Sequence, residues 1–121
     1  MALTRFEELE AWKKSRKLVT TVYSICERQK LKYDRGLRDQ IQRASVSVMS
    51  NIAEGFDSGS SKSFLRYLHY SMGSASEVQS LIYVLKDLEL LSVEEFESIY
   101  KDLVEIKKIL FGLINSINSK I

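Results

Sequence analysis

The carboxylates Glu54 and Glu77, the guanidinium of Arg43 and the serines and asparagine of the stretch SVSVMSNIAEGF are the groups best suited to chemistry in this chain. Two carboxylates and an arginine can do acid–base work when a site shifts their protonation, and structural ion networks produce the same pattern. His69 is the one histidine and Cys26 the one cysteine. That leaves no second imidazole or thiol for a zinc cluster and no internal disulfide. A Glu-x-x-His di-iron motif also fails, because Arg66 stands three residues before His69. A Ser/His/Asp triad would need geometry that one histidine on a helix does not supply.

The segment GFDSGSSKS resembles a phosphate loop only superficially. Its glycines fall at 55 and 59, none directly precedes Lys62, and a helix rather than a strand leads into it. It reads as a capped connection between helices. These features point away from an enzyme and require no cofactor or metal. The question then becomes which elements place Ser50, Asn51 and Glu54 among apolar neighbours.

Those elements are helices. The chain has 121 residues, no proline and five glycines, so the residues that most strongly interrupt helices are nearly missing. This length suits one domain, over residues 1–121, with a core that needs no cross-links. Apolar residues at alternating steps of three and four predict a helix over 6–29 carrying Leu9, Trp12, Arg16, Val19, Tyr23 and Cys26, with Leu18, Val22 and Ile25 widening the stripe. A second is predicted over 37–54, with Gly55 as its C-terminal cap. A third runs over 62–90, capped by Ser60 or Ser61, with Phe64, Leu68, Ser71, Ala75, Val78, Ile82 and Leu85 on its seam. After a turn with Ser92 and Glu95 spaced as a capping box, the fourth carries Phe96, Ile99, Leu103, Ile106, Leu110, Leu113 and Ile117. Four such segments with short connections imply an all-α, antiparallel up-down-up-down four-helix bundle.

On the second helix, at about 100° per residue, Ile41, Leu37, Ala44, Val48 and Ile52 form an apolar centre, widened by Met49, Phe56, Ala53 and Val46. That arc exceeds one seam and is expected to supply a subunit contact. Gln40, Arg43, Ser47, Asn51 and Glu54 line the opposite edge. With Ser74 and Glu77 of the third helix the last four are expected to form a structural polar seam, within one subunit or across a subunit boundary, Glu54 being partly buried and receiving hydrogen bonds from Arg43, Ser47 or Ser74. The small residues around Gly73 are expected to admit a neighbouring backbone.

Net charge is +2, but residues 1–70 hold 13 Lys/Arg against 8 Asp/Glu, and residues 71–121 hold 5 against 8. This weak basic bias permits a polyanion partner, with Lys13, Lys14, Arg16, Lys17, Lys32, Arg35, Arg38, Lys62 and Arg66 as candidate phosphate contacts. No apolar run is long enough to span a bilayer and the first residues lack a signal-peptide pattern, so a cytoplasmic protein without a membrane partner is expected.

The segments QRASVS, NIAEG and GSASE, together with FEELEAWKKS and YDRGLRDQIQRAS, give the chain a resemblance to the four-helix-bundle family of 23S rRNA intervening sequence proteins, also called S23 ribosomal proteins. Val48-Met49-Ser50 stands where that family commonly has a proline, and Lys30-Leu31 replaces its usual Phe-Pro. The resemblance implies a ring-like homopentamer, similar in shape to the accessory variability determinant of diversity-generating retroelements, with no established activity. The expected function is a non-enzymatic oligomeric interaction module that binds structured RNA or DNA. The alternative is a scaffold for a protein partner, such as a nucleic-acid enzyme, without direct nucleic-acid contact.

Overall fold

The chain is described by a computed structural model over residues 3–120. Four long helices follow a short 3-10 turn at Phe6–Glu8: α1 (Glu10–Cys26), α3 (Arg35–Phe56), α4 (Ser61–Asp87) and α5 (Val93–Asn118), with a four-residue helix α2 (Gln29–Lys32) between the first two. Each long helix packs on its sequence neighbour, and α1 closes the square against α5. This is the antiparallel up-down-up-down bundle that the spacing predicts.

The caps expected at two helix starts are formed. The Ser60 hydroxyl accepts from the Ser63 amide at 3.1 Å. Ser92 accepts from the Glu95 amide at 3.1 Å, and the Glu95 carboxylate accepts from the Ser92 amide at 3.0 Å, completing the capping box. α4 ends in a Schellman turn, where the Leu90 amide reaches the Leu85 carbonyl at 2.8 Å and the Glu89 amide that of Lys86 at 3.0 Å. Glu89 takes the left-handed conformation there, at φ 59°, in the place usually held by glycine.

The helix expected over 6–29 is three pieces. Leu9 and Arg28 are both extended and interrupt it. Each break brings an apolar group inward: Leu9 is buried, and beyond Arg28 the side chain of Leu31 is fully enclosed. The core stripe of α1 is Ala11, Ser15, Leu18, Val22, Ile25 and Cys26. Arg16 and Tyr23 therefore lie outside it, both exposed, contrary to the predicted seam. Arg16 instead stands 5.7 Å over the Trp12 ring. On α5 the predicted seam holds from Phe96 to Leu110 and then passes from Leu113 to Ile114, which is buried. A straight helix drifts about 20° per heptad from a strict 3.5 repeat, which moves the seam by one position.

α3 and α4 form the closest pair. Ser71, fully buried, donates to the Val48 carbonyl at 2.7 Å, a contact that brings a hydroxyl on one helix to the backbone of the other. Ser15 and Ser45, also buried, donate to carbonyls in their own helices, at 2.6 and 2.9 Å. No buried side-chain N or O among the described residues lacks a partner. Gly55 is not the C-terminal cap. The helix continues to Phe56, Asp57 follows as cap, and Gly55 is buried, where a Cβ would stand 2.6 Å from the Tyr67 Cβ. Gly73, expected to admit a neighbour, is exposed, with no side chain or neighbouring element within 4 Å of a Cβ placed on it.

The surplus apolar arc expected on the second helix is partly covered within the chain, where α1 and the 3-10 turn both pack against α3. Val46, Met49, Ala53 and Phe56 are half-buried. The large apolar side chains that remain exposed include Tyr70, Tyr83 and Val84 on α4, Leu88 at its C-terminal cap, and Val93 and Phe111 on α5.

Arg28 joins the two ends of the bundle's first and last helices. Its guanidinium pairs with Glu95, with Nη1 to Oε1 at 3.0 Å, and also donates to the Leu90 carbonyl at 3.1 Å. Hydrogen bonding from Arg28, with help from the Ser92 amide, holds the Glu95 carboxyl down at about 2. A carboxyl depressed in the folded state stabilises it above the unfolded pKa, near 4.5, and that stability is lost as pH falls toward 2. Both side chains are more than one-third exposed, so screening leaves about 1 kcal/mol. Acid titration of urea stability between pH 5 and 2 should show this loss in the wild type and a smaller loss in Glu95→Gln.

Candidate functional site

The polar residues of SNIAEG separate into two places along α3. Asn51 Nδ2 donates to the Ser47 carbonyl at 2.8 Å and to Ser47 Oγ at 2.9 Å. Ser47 Oγ also accepts from Ser74 Oγ of α4 at 2.8 Å. About two turns toward the start of α3, Gln40 Nε2 donates to Glu77 at 3.2 Å. An open groove of about 580 Å³ runs along this α3–α4 edge and includes Asp39, Gln40, Arg43, Ser47, Ser74 and Glu77. Ser47, Asn51 and Ser74 thus meet within one chain.

Glu54 does not join them. It is exposed, and it lines a different cleft, of about 640 Å³, with Phe6, Asp57, Ser58, Arg66 and Tyr67. Arg43 is also exposed and makes no ion pair among the described residues. Eleven positions of helix separate Arg43 from Glu54, about 16 Å at 1.5 Å per residue, beyond the reach of the guanidinium. Within one chain, Glu54 is therefore neither partly buried nor served by Arg43, Ser47 or Ser74, which corrects the within-chain form of the expected seam. A wheel gives the angle of a residue and is blind to its height along the axis. For the same reason Glu54, Glu77 and Arg43 do not converge on one reacting centre.

The nine candidate phosphate contacts fall into three groups. Lys13, Arg16 and Lys17 are exposed on the outer face of α1, while Lys14 turns to α5 and pairs with Glu105 at 3.2 Å. Lys13 lies 3.4 Å from Glu10. Lys32, Arg35 and Arg38 sit at the opposite end of the bundle, around the start of α3. Arg38 is largely committed, donating to the Lys32 carbonyl at 2.7 Å and standing 3.6 Å from Asp39. Lys62 and Arg66 open α4, and Arg66 lies 5.5 Å over the Tyr67 ring, beside the cleft that holds Glu54 and Asp57. The fold does not gather the nine into one patch.

A cationic place outside that set lies between α4 and α5. Lys107 Nζ donates to Ser76 Oγ at 2.8 Å and Gln79 Oε1 at 3.0 Å, and with Lys108 and Phe111 it edges an open groove of about 380 Å³ over Met72 and Val104. The seam of α5 drew attention to its core face, and the outward spacing of Val104, Lys108 and Phe111 was the signal for this second face.

His69 is exposed on α4. Cys26 is buried, which pushes its thiol above the ordinary range. No cluster of three or more His, Cys, Asp or Glu residues suited to a metal occurs among the described residues. No described helix is long and apolar enough to cross a membrane.

No curated protein matches the sequence. Among solved structures, the chain is similar to a protein of unknown function from the S23 ribosomal protein family of Bacteroides thetaiotaomicron. The two share 25% identity over 87% of this chain and 95% of the other, with a TM-score of 0.78. The family model for 23S rRNA-intervening sequence proteins matches residues 7–112, from the 3-10 turn to the last turns of α5. With that span and this bundle, the chain belongs to the 23S rRNA-intervening sequence protein family.

Proposed function

We propose that the chain is a non-enzymatic interaction module that self-associates and presents basic side chains to structured RNA or another nucleic acid. One observation carries this reading: Lys13, Arg16 and Lys17 stand exposed on successive turns of α1, and neither Arg16 nor Lys17 has an ion-pair partner among the described residues. Cations not neutralised within the fold are the ones that can release counterions from a phosphate backbone. Self-association, with a homopentamer as the assembly proposed, would repeat this modest field and raise affinity by avidity. Support for a contact between copies comes from the exposed Tyr83, Val84, Leu88 and Val93 at the α4–α5 turn.

Those same apolar side chains favour the second reading, a scaffold that holds a protein partner and leaves nucleic acid alone. Replacing Lys13, Arg16 and Lys17 together by glutamine separates the two. Under the first reading RNA binding weakens and the log–log salt slope falls by about 0.7 to 0.9 per lost contact, with the helical signal unchanged. Unchanged affinity and slope would remove α1 as a phosphate-contacting surface.

A further inference from the structure

The carboxylates of this chain are unevenly placed: residues 58–76 and 106–121 contain no Asp or Glu. In the bundle these stretches are the first part of α4 and the last part of α5, antiparallel neighbours at one end of the molecule. Lys107 ties them at the level of Ser76 and Gln79, using neutral acceptors. Its charge is thus uncancelled, and Lys108 beside it forms no ion pair among the described residues. From that level to Lys62 the strip runs about 21 Å along α4 at 1.5 Å per residue. Phe111 lies between, 56% exposed, next to Met72.

We infer that this α4–α5 face binds a single-stranded polynucleotide, with a base stacked on Phe111 and phosphates at Lys107 and Lys108. The inference rests on the nucleic-acid reading above and adds a second surface to that of α1. A carboxylate-free strip of this length complements a repeating polyanion better than a single acidic side chain. An exposed ring between cations supplies the sequence-tolerant stacking used for unpaired bases. On the α1 face, by contrast, Lys13 and Lys14 already face Glu10 and Glu105.

The test titrates the full chain with labelled single-stranded RNA, single-stranded DNA, a matched duplex and a glutamate-rich peptide. Phe111→Ala and Phe111→Leu are each expected to weaken single-strand binding about tenfold, since stacking contributes roughly that factor per base. Phe111→Trp is expected to preserve it, and Lys108→Gln to lower the salt slope by about 0.7. Circular dichroism and the urea midpoint check that each variant is folded. Tight wild-type binding that all these variants keep within twofold would overturn the face while leaving the nucleic-acid reading standing. Failure of the wild type to bind any polynucleotide would overturn both. Binding of the acidic peptide alone, lost in the same variants, would overturn the inference in favour of a protein partner.

Discussion

Leu31→Ala is expected to lower the unfolding free energy by about 2 to 5 kcal/mol, the range for truncating a fully buried leucine. Leu31 belongs to a helix of four residues, α2, flanked by exposed Lys30, Lys32 and Tyr33. Nothing in the helix's own length would stabilise it, because a single turn fixes several dihedral angles for one hydrogen bond. Its anchor is the side chain, which has 0% exposure. Removing three carbons there leaves a cavity and releases the link between α1 and α3. Urea unfolding should show a lower midpoint with the slope unchanged. A midpoint equal to that of the wild type would mean that the link is not latched through Leu31.

Gly55→Ala is expected to destabilise by about 1 to 3 kcal/mol through overpacking, even though alanine is the better helix former by about 1 kcal/mol. The added methyl would stand 2.6 Å from the Tyr67 Cβ and 3.0 Å from Phe64 Cδ1. The Tyr67 Cβ is fixed to the α4 backbone, so relief requires the two helices to part. That would disturb the Ser71–Val48 and Ser74–Ser47 contacts at the same interface. Gly73→Ala provides the opposite expectation. With no side chain or neighbouring element within 4 Å of the new methyl, the helix propensity acts unopposed and stability should rise by about 0.5 to 1 kcal/mol. Two alanines that shift the urea midpoint in the same direction would contradict this assignment of packing roles.

These two glycines also mark how far the sequence can be read. Both interrupt helical patterns, and Gly55, followed two residues later by Asp57, resembles a helix end. Only the approach of α4 shows that it is a packing position, since that information lies in residues 64 and 67 of another helix. Helices α4 and α5 were legible because their seams run for many turns and Ser60 and Ser92 mark their starts. The centre of the α1 seam was read one position off, with the buried Leu18, Val22 and Ile25 placed at its margin. The breaks at Leu9 and Arg28 involve neither proline nor glycine; the first goes with burial of Leu9, the second with burial of Leu31 and the pairing of Arg28 with Glu95.

The polar edge was legible in part for the same reason. Ser47, Asn51 and Ser74 interact over one turn and one neighbouring helix, within the reach of pattern reasoning. Glu54 shares their side of the wheel but lies further along the axis, in the cleft with Asp57 and Arg66. For the basic residues, the sequence located charge, and the fold decides which charges are already neutralised. Lys14 is paired with Glu105. Lys107 and Lys108, in the half of the chain with the acidic balance, meet only neutral neighbours at their groove.

Binding of the wild-type protein to mixed-sequence RNA, followed from about 50 to 200 mM salt, tests the central claim most directly. The account predicts measurable affinity at low salt and a linear fall of log K with log salt concentration. A folded protein that leaves RNA unbound at the lowest salt would contradict it.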